Sequence, residues 1–237
     1  MSETANFRLP LVQAGQAQKH VTVNEALLRI DALAQPTLVS RSMTVPPVSA
    51  VEGTAFAVPS GASGIWAGQD GRVALWLNGG WEFVTPGTGW RAWIEDEAAS
   101  AVFGGSDWVP GAVALSPGGA ALTFRVVETD HAIAAGSESI TDALIPAGSV
   151  VFGVTGRVIA GIGGTASAFR VGIGGESPDR YGSGIGTGAG VWFRGVTGTP
   201  VAYYADTPLT IAAEGGTFDG GLLRVAVHLA ELALPRA

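Results

Sequence analysis

Few side chains in this 237-residue chain have the types and spacing that chemistry needs. The three histidines, His20, His131 and His228, are isolated. None falls in an HxH, HxxxH or HExxH spacing that would aim two ring nitrogens at one metal ion. Cysteine is absent, which removes thiolate metal sites, disulfides and a thiol nucleophile. Gly182-Ser183-Gly184 sits in glycine-rich sequence without the strand–elbow–helix setting that raises a hydrolase serine. Gly161-Ile162-Gly163-Gly164 is followed by no helix and cannot cradle a dinucleotide. Paired carboxylates are the remaining catalytic chemistry, through glycoside hydrolysis. Glu95-Asp96-Glu97 reads as a solvated acidic run, and Glu176–Arg180 as a turn with a local Asp179–Arg180 pair. The expectation is a protein that is not an enzyme, with no catalytic residue, no metal and no cofactor.

Aromatic side chains are the more suggestive chemistry. Six of the seven tryptophans, Trp66, Trp76, Trp81, Trp90, Trp93 and Trp108, fall within residues 37–110. Flat rings give sugar rings a surface to stack on, with polar neighbours fixing orientation. Trp76, Trp81, Trp90 and Trp93 are therefore candidate glycan-binding residues. An alternative stays open: a unit of this size is short of core and fills it with tryptophan. Tyr203-Tyr204 poses the same choice, and as adjacent strand residues they face opposite ways.

These residues need elements to hold them. The pattern predicts a mainly β chain: a short N-terminal helix, a small antiparallel β meander, and a C-terminal β-sandwich or jelly roll. A helix is expected over 22–35, opened by a capping box at Thr22-Val23-Asn24-Glu25 and stopped by Pro36. Val23, Ala26, Leu27, Ile30, Leu33 and Ala34 form its apolar stripe. Three turns do not stand alone, so the stripe needs a partner: the following domain, a sister subunit or a larger assembly. Residues 1–36 thus form an attachment segment, with Gln13, Gln16, His20, Leu27 and Ile30 as candidate contacts. A Trp-rich β domain follows over 37–110, with a hairpin signature in Val73–Leu77, Asn78-Gly79-Gly80 and Trp81–Val84 and a weaker echo at 101–109. Residues 111–120 read as a Pro/Gly-punctuated linker and 121–237 as all β.

Strands are expected at Leu122–Glu128, Ser149–Ile159, Ala168–Gly174, Val191–Arg194, Val201–Tyr204, Leu209–Ala213 and Leu222–Leu232. In the last, Leu223, Val225, Val227 and Leu229 alternate with Arg224, Ala226 and His228. Residues 153–198 hold 15 glycines, without the fixed period that collagen requires. Either they form flexible loops, or strands whose backbones approach closely; the interleaved Ile173, Ile185, Val191, Trp192 and Phe193 favour the strands.

The charge balance bounds the partners. Thirteen basic against twenty acidic residues give −7, and Lys19 is the sole lysine. That leaves no basic footprint for a phosphate backbone, so no nucleic acid is expected. Every apolar run is broken well before the roughly 18–20 residues of a membrane span, so no membrane insertion is expected either. Met1–Arg8 is polar and does not read as a secretory signal.

The stretch Leu9–Leu27, LPLVQAGQAQKHVTVNEAL, with Asp31-Ala32 and the segment Trp81–Trp108, resembles a domain of unknown function found in tail-fibre-like proteins of alphaproteobacterial phages and gene transfer agents. Gln13, Gly15, Gln16, His20, Asn24 and Glu25 are its most specific part. Ile145–Gly148, Asp179–Gly182 and Ala202–Ala205 resemble the β-rich domain often joined to it. The resemblance implies a homotrimeric tail-fibre subunit, docked on a tail or baseplate protein by its N-terminus. Its C-terminal part would touch a recipient cell-surface polysaccharide without cleaving it. Such a virion component would be made in the cytoplasm and released with the particle. A carbohydrate-binding accessory module and a polysaccharide depolymerase are the alternatives.

Overall fold

The computed structural model describes residues 3–7, 9–12 and 19–236, the side chains of Lys19, His20, Thr22 and Glu176 excepted. The chain is mainly β and divides into two compact units, Met1–Pro117 and Gly118–Ala237.

In the first unit, helix α1 spans Lys19–Leu33. It begins three residues before the expected capping box, so Thr22–Glu25 lie inside it and do not cap it. The strands are β1 (Thr37–Leu38), β2 (Ala55–Ala57), β3 (Val73–Leu77), β4 (Gly80–Val84), β5 (Arg91–Ile94), β6 (Ala99–Phe103), β7 (Trp108–Pro110) and β8 (Ala112–Leu115). The hairpin of β3 and β4 closes through Asn78 and Gly79, with φ of 52° and 75°. Two positive φ values are what a two-residue turn matching strand twist requires, and Asn-Gly supplies them at least cost. The sheet order is β4-β3-β2-β1-β5-β6-β7. It is not wholly the antiparallel meander expected. Two antiparallel runs, β2-β3-β4 and β5-β6-β7, are joined by the two-residue β1, which pairs parallel to both β2 and β5. A central strand of two residues carries no alternation that a sequence could show.

Alternation along β3 feeds both faces of this sheet. Val73, Leu75 and Leu77 enter a core with Ala32, Leu38, Ile94, Phe103 and Trp108, packed by Leu28 and Leu33 of α1. Ala74 faces the other way, among Phe56, Val58 and Trp66. The partner of α1 is thus the sheet of its own unit. The helix docks by Leu28, Ala32 and Leu33, whereas Val23 and Ile30 of the expected stripe are 44% and 55% exposed. The stripe is therefore rotated from the one the spacing suggested.

The second unit contains β9 (Ala121–Ala132), β10 (Glu138–Ile145), β11 (Ser149–Gly164), β12 (Ala168–Ile173), β13 (Ser177–Ile185), β14 (Trp192–Tyr203), β15 (Thr207–Glu214) and β16 (Phe218–Ala233). They form two sheets, β10-β15-β12-β13 and, within this unit, β14-β11-β16-β9. Every pairing among them is antiparallel. Eight strands in this interleaved order make a jelly roll. One core lies between the sheets, with Ile145, Phe169, Val171, Leu209 and Ile211 from one and Val151, Val154, Val225, Val227 and Leu229 from the other.

Two strands escape the sequence pattern. β10 turns Ser139 and Thr141 inward and leaves Ile140 58% exposed, the reverse of the usual preference. The buried hydroxyls are satisfied: Ser139 Oγ accepts from the Ala134 amide and bonds His131 Nε2, and Thr141 Oγ1 accepts from the Leu209 amide. β13 contains Pro178 and Glu176 precedes it, yet 177–185 is strand and not the expected turn. Arg180 there donates to Ser177 Oγ at 2.7 Å. The segments 191–194 and 201–204 are the two ends of the single strand β14.

Candidate ligand-binding surfaces

The first surface is the N-terminal segment on α1. Asn24 and Asp31 are seven residues, two turns, apart and share a helix face. Asn24 Oδ1 accepts from the Val12 amide at 2.8 Å and its Nδ2 donates to the Val12 carbonyl at 3.0 Å. A side-chain amide here plays the part of a neighbouring strand. Asp31, 2% exposed, accepts from Thr4 Oγ1 at 2.6 Å and from the Asn6 amide at 2.7 Å, and also from the Phe7 amide. Burial by itself raises the Asp31 pKa, but the Thr4 hydroxyl and then the Asn6 and Phe7 amides outweigh it and hold the carboxyl below its ordinary value. Of the expected attachment residues, Leu27 is half-buried and Ile30 exposed. His20 lies in the first turn of α1, and Gln13 and Gln16 lie outside the described residues. Asn24 and Asp31 are what hold the segment, and periodicity could not reveal them because they act through polar side chains.

The tryptophans divide by burial. Trp66 and Trp108 are core, 0% and 4% exposed. Trp81 is half-buried and packs edge-on against Trp66, Phe56 and Trp76, with ring centroids 5.2, 5.8 and 5.0 Å away. Such tilted contacts stabilise the pair beyond simple burial. Trp76 is half-buried at the margin of this group. Trp90 is half-buried against the core and lies over Gly87. Trp93 is the open member, 44% exposed on β5. The tyrosine pair does split across the strand. Tyr203 is in the core with its hydroxyl 2.7 Å from that of Tyr181, so it has no face for a ligand, whereas Tyr204 is 90% exposed.

The outer face of β14-β11-β16-β9 is a third surface, and the tryptophan there was not among the expected site residues. Phe193 points into the core, so its neighbours Trp192 and Arg194 point out. The register places Trp192 opposite Arg157, and Arg157 opposite Arg224, which in turn faces Asp130. In the next row Arg194 faces Thr155, then Ala226 and Glu128. These residues other than Asp130, with Ile159, line a cleft of about 460 Å³. Arg224 donates to both Asp130 oxygens at 2.6 and 2.7 Å, which lowers the Asp130 pKa and raises that of Arg224. Arg157 donates only to the Gly190 carbonyl, at 3.3 Å, and Arg194 has no polar partner among the described residues. The signal that could have found them is the alternation through Trp192-Phe193-Arg194.

Towards the other end the same face turns apolar. Phe124 and Phe152 stack at 5.5 Å and 25°, beside the buried Ala230. Val126, Val196 and Leu232 are 56%, 71% and 73% exposed. Elsewhere the isolated histidines serve structure: His131 bonds Ser139, and His228 Nε2 lies 3.0 Å from Thr155 Oγ1. Glu95, Asp96 and Glu97 are solvated, Glu97 paired with Arg41. Among the described residues, no group of three or more His, Asp or Glu side chains could hold a metal.

Residues 23–109 match a family described as protein of unknown function (DUF2793). No curated protein matches the chain. Among solved structures, the chain is similar to one described as "Cyanophage Pam1 capsid asymmetric unit", with 23% identity over 46% of this chain and 84% of that one and a TM-score of 0.37.

Proposed function

We propose that the protein is a non-enzymatic structural subunit of a phage-like particle, a tail-fibre component that holds a cell-surface polysaccharide without cleaving it. The observation that carries this reading is the outer face of β14-β11-β16-β9, apolar at one end and Trp- and Arg-lined at the other. A jelly roll serves both capsid and lectin domains, but fold alone does not choose between functions, so the argument rests on this face. The resemblance of Leu9–Leu27 to tail-fibre-like proteins supports it, and the family match at 23–109 takes in the end of that stretch, residues 23–27, and Trp81–Trp108.

Phe124, Phe152, Val126, Val196 and Leu232 supply apolar area that a sister subunit would cover, which favours self-assembly, and the tail-fibre resemblance implies a homotrimer. The N-terminal segment clipped to α1 would dock on a tail or baseplate protein. The test combines light scattering with retention of recipient-cell polysaccharide on immobilised protein. A trimer that retains polysaccharide and releases no new reducing ends is expected. A monomer at micromolar concentration, or steady release of reducing ends, overturns the reading.

A further inference from the structure

We infer that the cleft floored by β14, β11 and β16 is the saccharide site, and that its ligand is anionic, with Trp192 stacking on a sugar ring and Arg194 and Arg157 pairing with a carboxylate or phosphate on it. The inference rests on the adhesive reading above and names its site and ligand class. Three observations converge. Trp192 is 62% exposed, a large apolar ring left in water at the end of a paired strand. Directly opposite and two residues along, Arg157 and Arg194 have no carboxylate partner among the described residues, although acids outnumber bases by seven in the chain. Arg224, the third cation of the cleft, is already neutralised by Asp130, and Glu128, the acid that lines the cleft, lies 3.9 Å from the same guanidinium. Its pairing screens one edge of the cleft and leaves two guanidinium groups to be satisfied from outside.

The geometry fits that ligand class. A guanidinium fork matches a carboxylate or phosphate with two parallel N–H donors. Trp192 and Arg157 are cross-strand neighbours, so ring and charge lie about 5 Å apart at their Cα atoms. One sugar unit can meet both. The cleft volume of about 460 Å³ is within the range of small-ligand sites. All the participating side chains stand on paired strands, which limits the ordering cost of binding.

The test uses the full chain and three probes: polygalacturonate, its carboxyl-reduced neutral counterpart, and a phosphorylated mannan. Retention of a charged probe over the neutral one, weakening with salt, is expected, and the preferred probe separates carboxylate from phosphate recognition. Trp192→Ala and Arg194→Gln should each weaken retention by about tenfold or more with melting temperature unchanged. Val48→Ala, on an exposed residue of the other unit, should leave it unchanged. Equal retention of charged and neutral probes, or full retention by both cleft variants, overturns the inference while the adhesive reading stands. Failure to retain any probe or whole recipient-cell polysaccharide overturns that reading as well.

Discussion

Single polar side chains hold the N-terminal segment of the first unit and tie strands within the core of the second. Asp31 satisfies three donors from residues 4–7, so Asp31→Ala leaves them without an acceptor. The expected cost is about 1–3 kcal/mol of first-unit stability, read by urea denaturation. The same carboxyl gives a pH dependence of known sign. Its folded pKa lies below the ordinary 3.8, so its contribution is full above that value and is lost as pH falls through the folded value. Exchange protection of the Asn6 and Phe7 amides should persist at neutral pH and collapse in acid. In the jelly roll, Tyr203→Phe strands the Tyr181 hydroxyl, which is 1% exposed. A loss of about 1–2 kcal/mol is expected in the same measurement. None of these roles was legible in the sequence. Asp31, Asn24 and Tyr181 work by long-range hydrogen bonds, and spacing reports only local periodicity.

At the scale of elements, legibility followed the strength of alternation. β16, with Leu223, Val225, Val227 and Leu229 all but fully buried, could be read directly, and so could the Asn78-Gly79 hairpin. β10 could not, because hydroxyls fill the first two of its four buried positions, Ser139 and Thr141, nor could β1, with two residues. The candidate site was legible only in part. Trp93 and Tyr204 are open as a platform needs, but Trp81 is held edge-on by three rings and Tyr203 is core. The glycine-rich segment is mostly strand, with a loop at 186–191, and its backbones approach closely at Gly153, Gly156, Gly172 and Gly195. A Cβ on Gly195 would run into the Tyr181 backbone, whereas one on Gly198 would meet nothing. Gly195→Ala should therefore cost about 1–3 kcal/mol and Gly198→Ala little, a contrast that thermal melting of the two variants checks.

For the molecule as a whole, the proposed assembly rests on the apolar end of the outer face. Phe124→Asp puts a charge where a sister subunit would pack, and sedimentation should show trimer giving way to monomer with circular dichroism unchanged. A trimer that survives the change places the contact elsewhere. The central position of β16 has one more consequence. It pairs along nearly its whole length with β11 on one side and β9 on the other, yet it is the last strand of its unit to be synthesised. A nascent chain halted on the ribosome before about residue 218 holds β9 and β11 with no seam to join them. Prematurely terminated copies would thus stay unfolded and open to proteolysis.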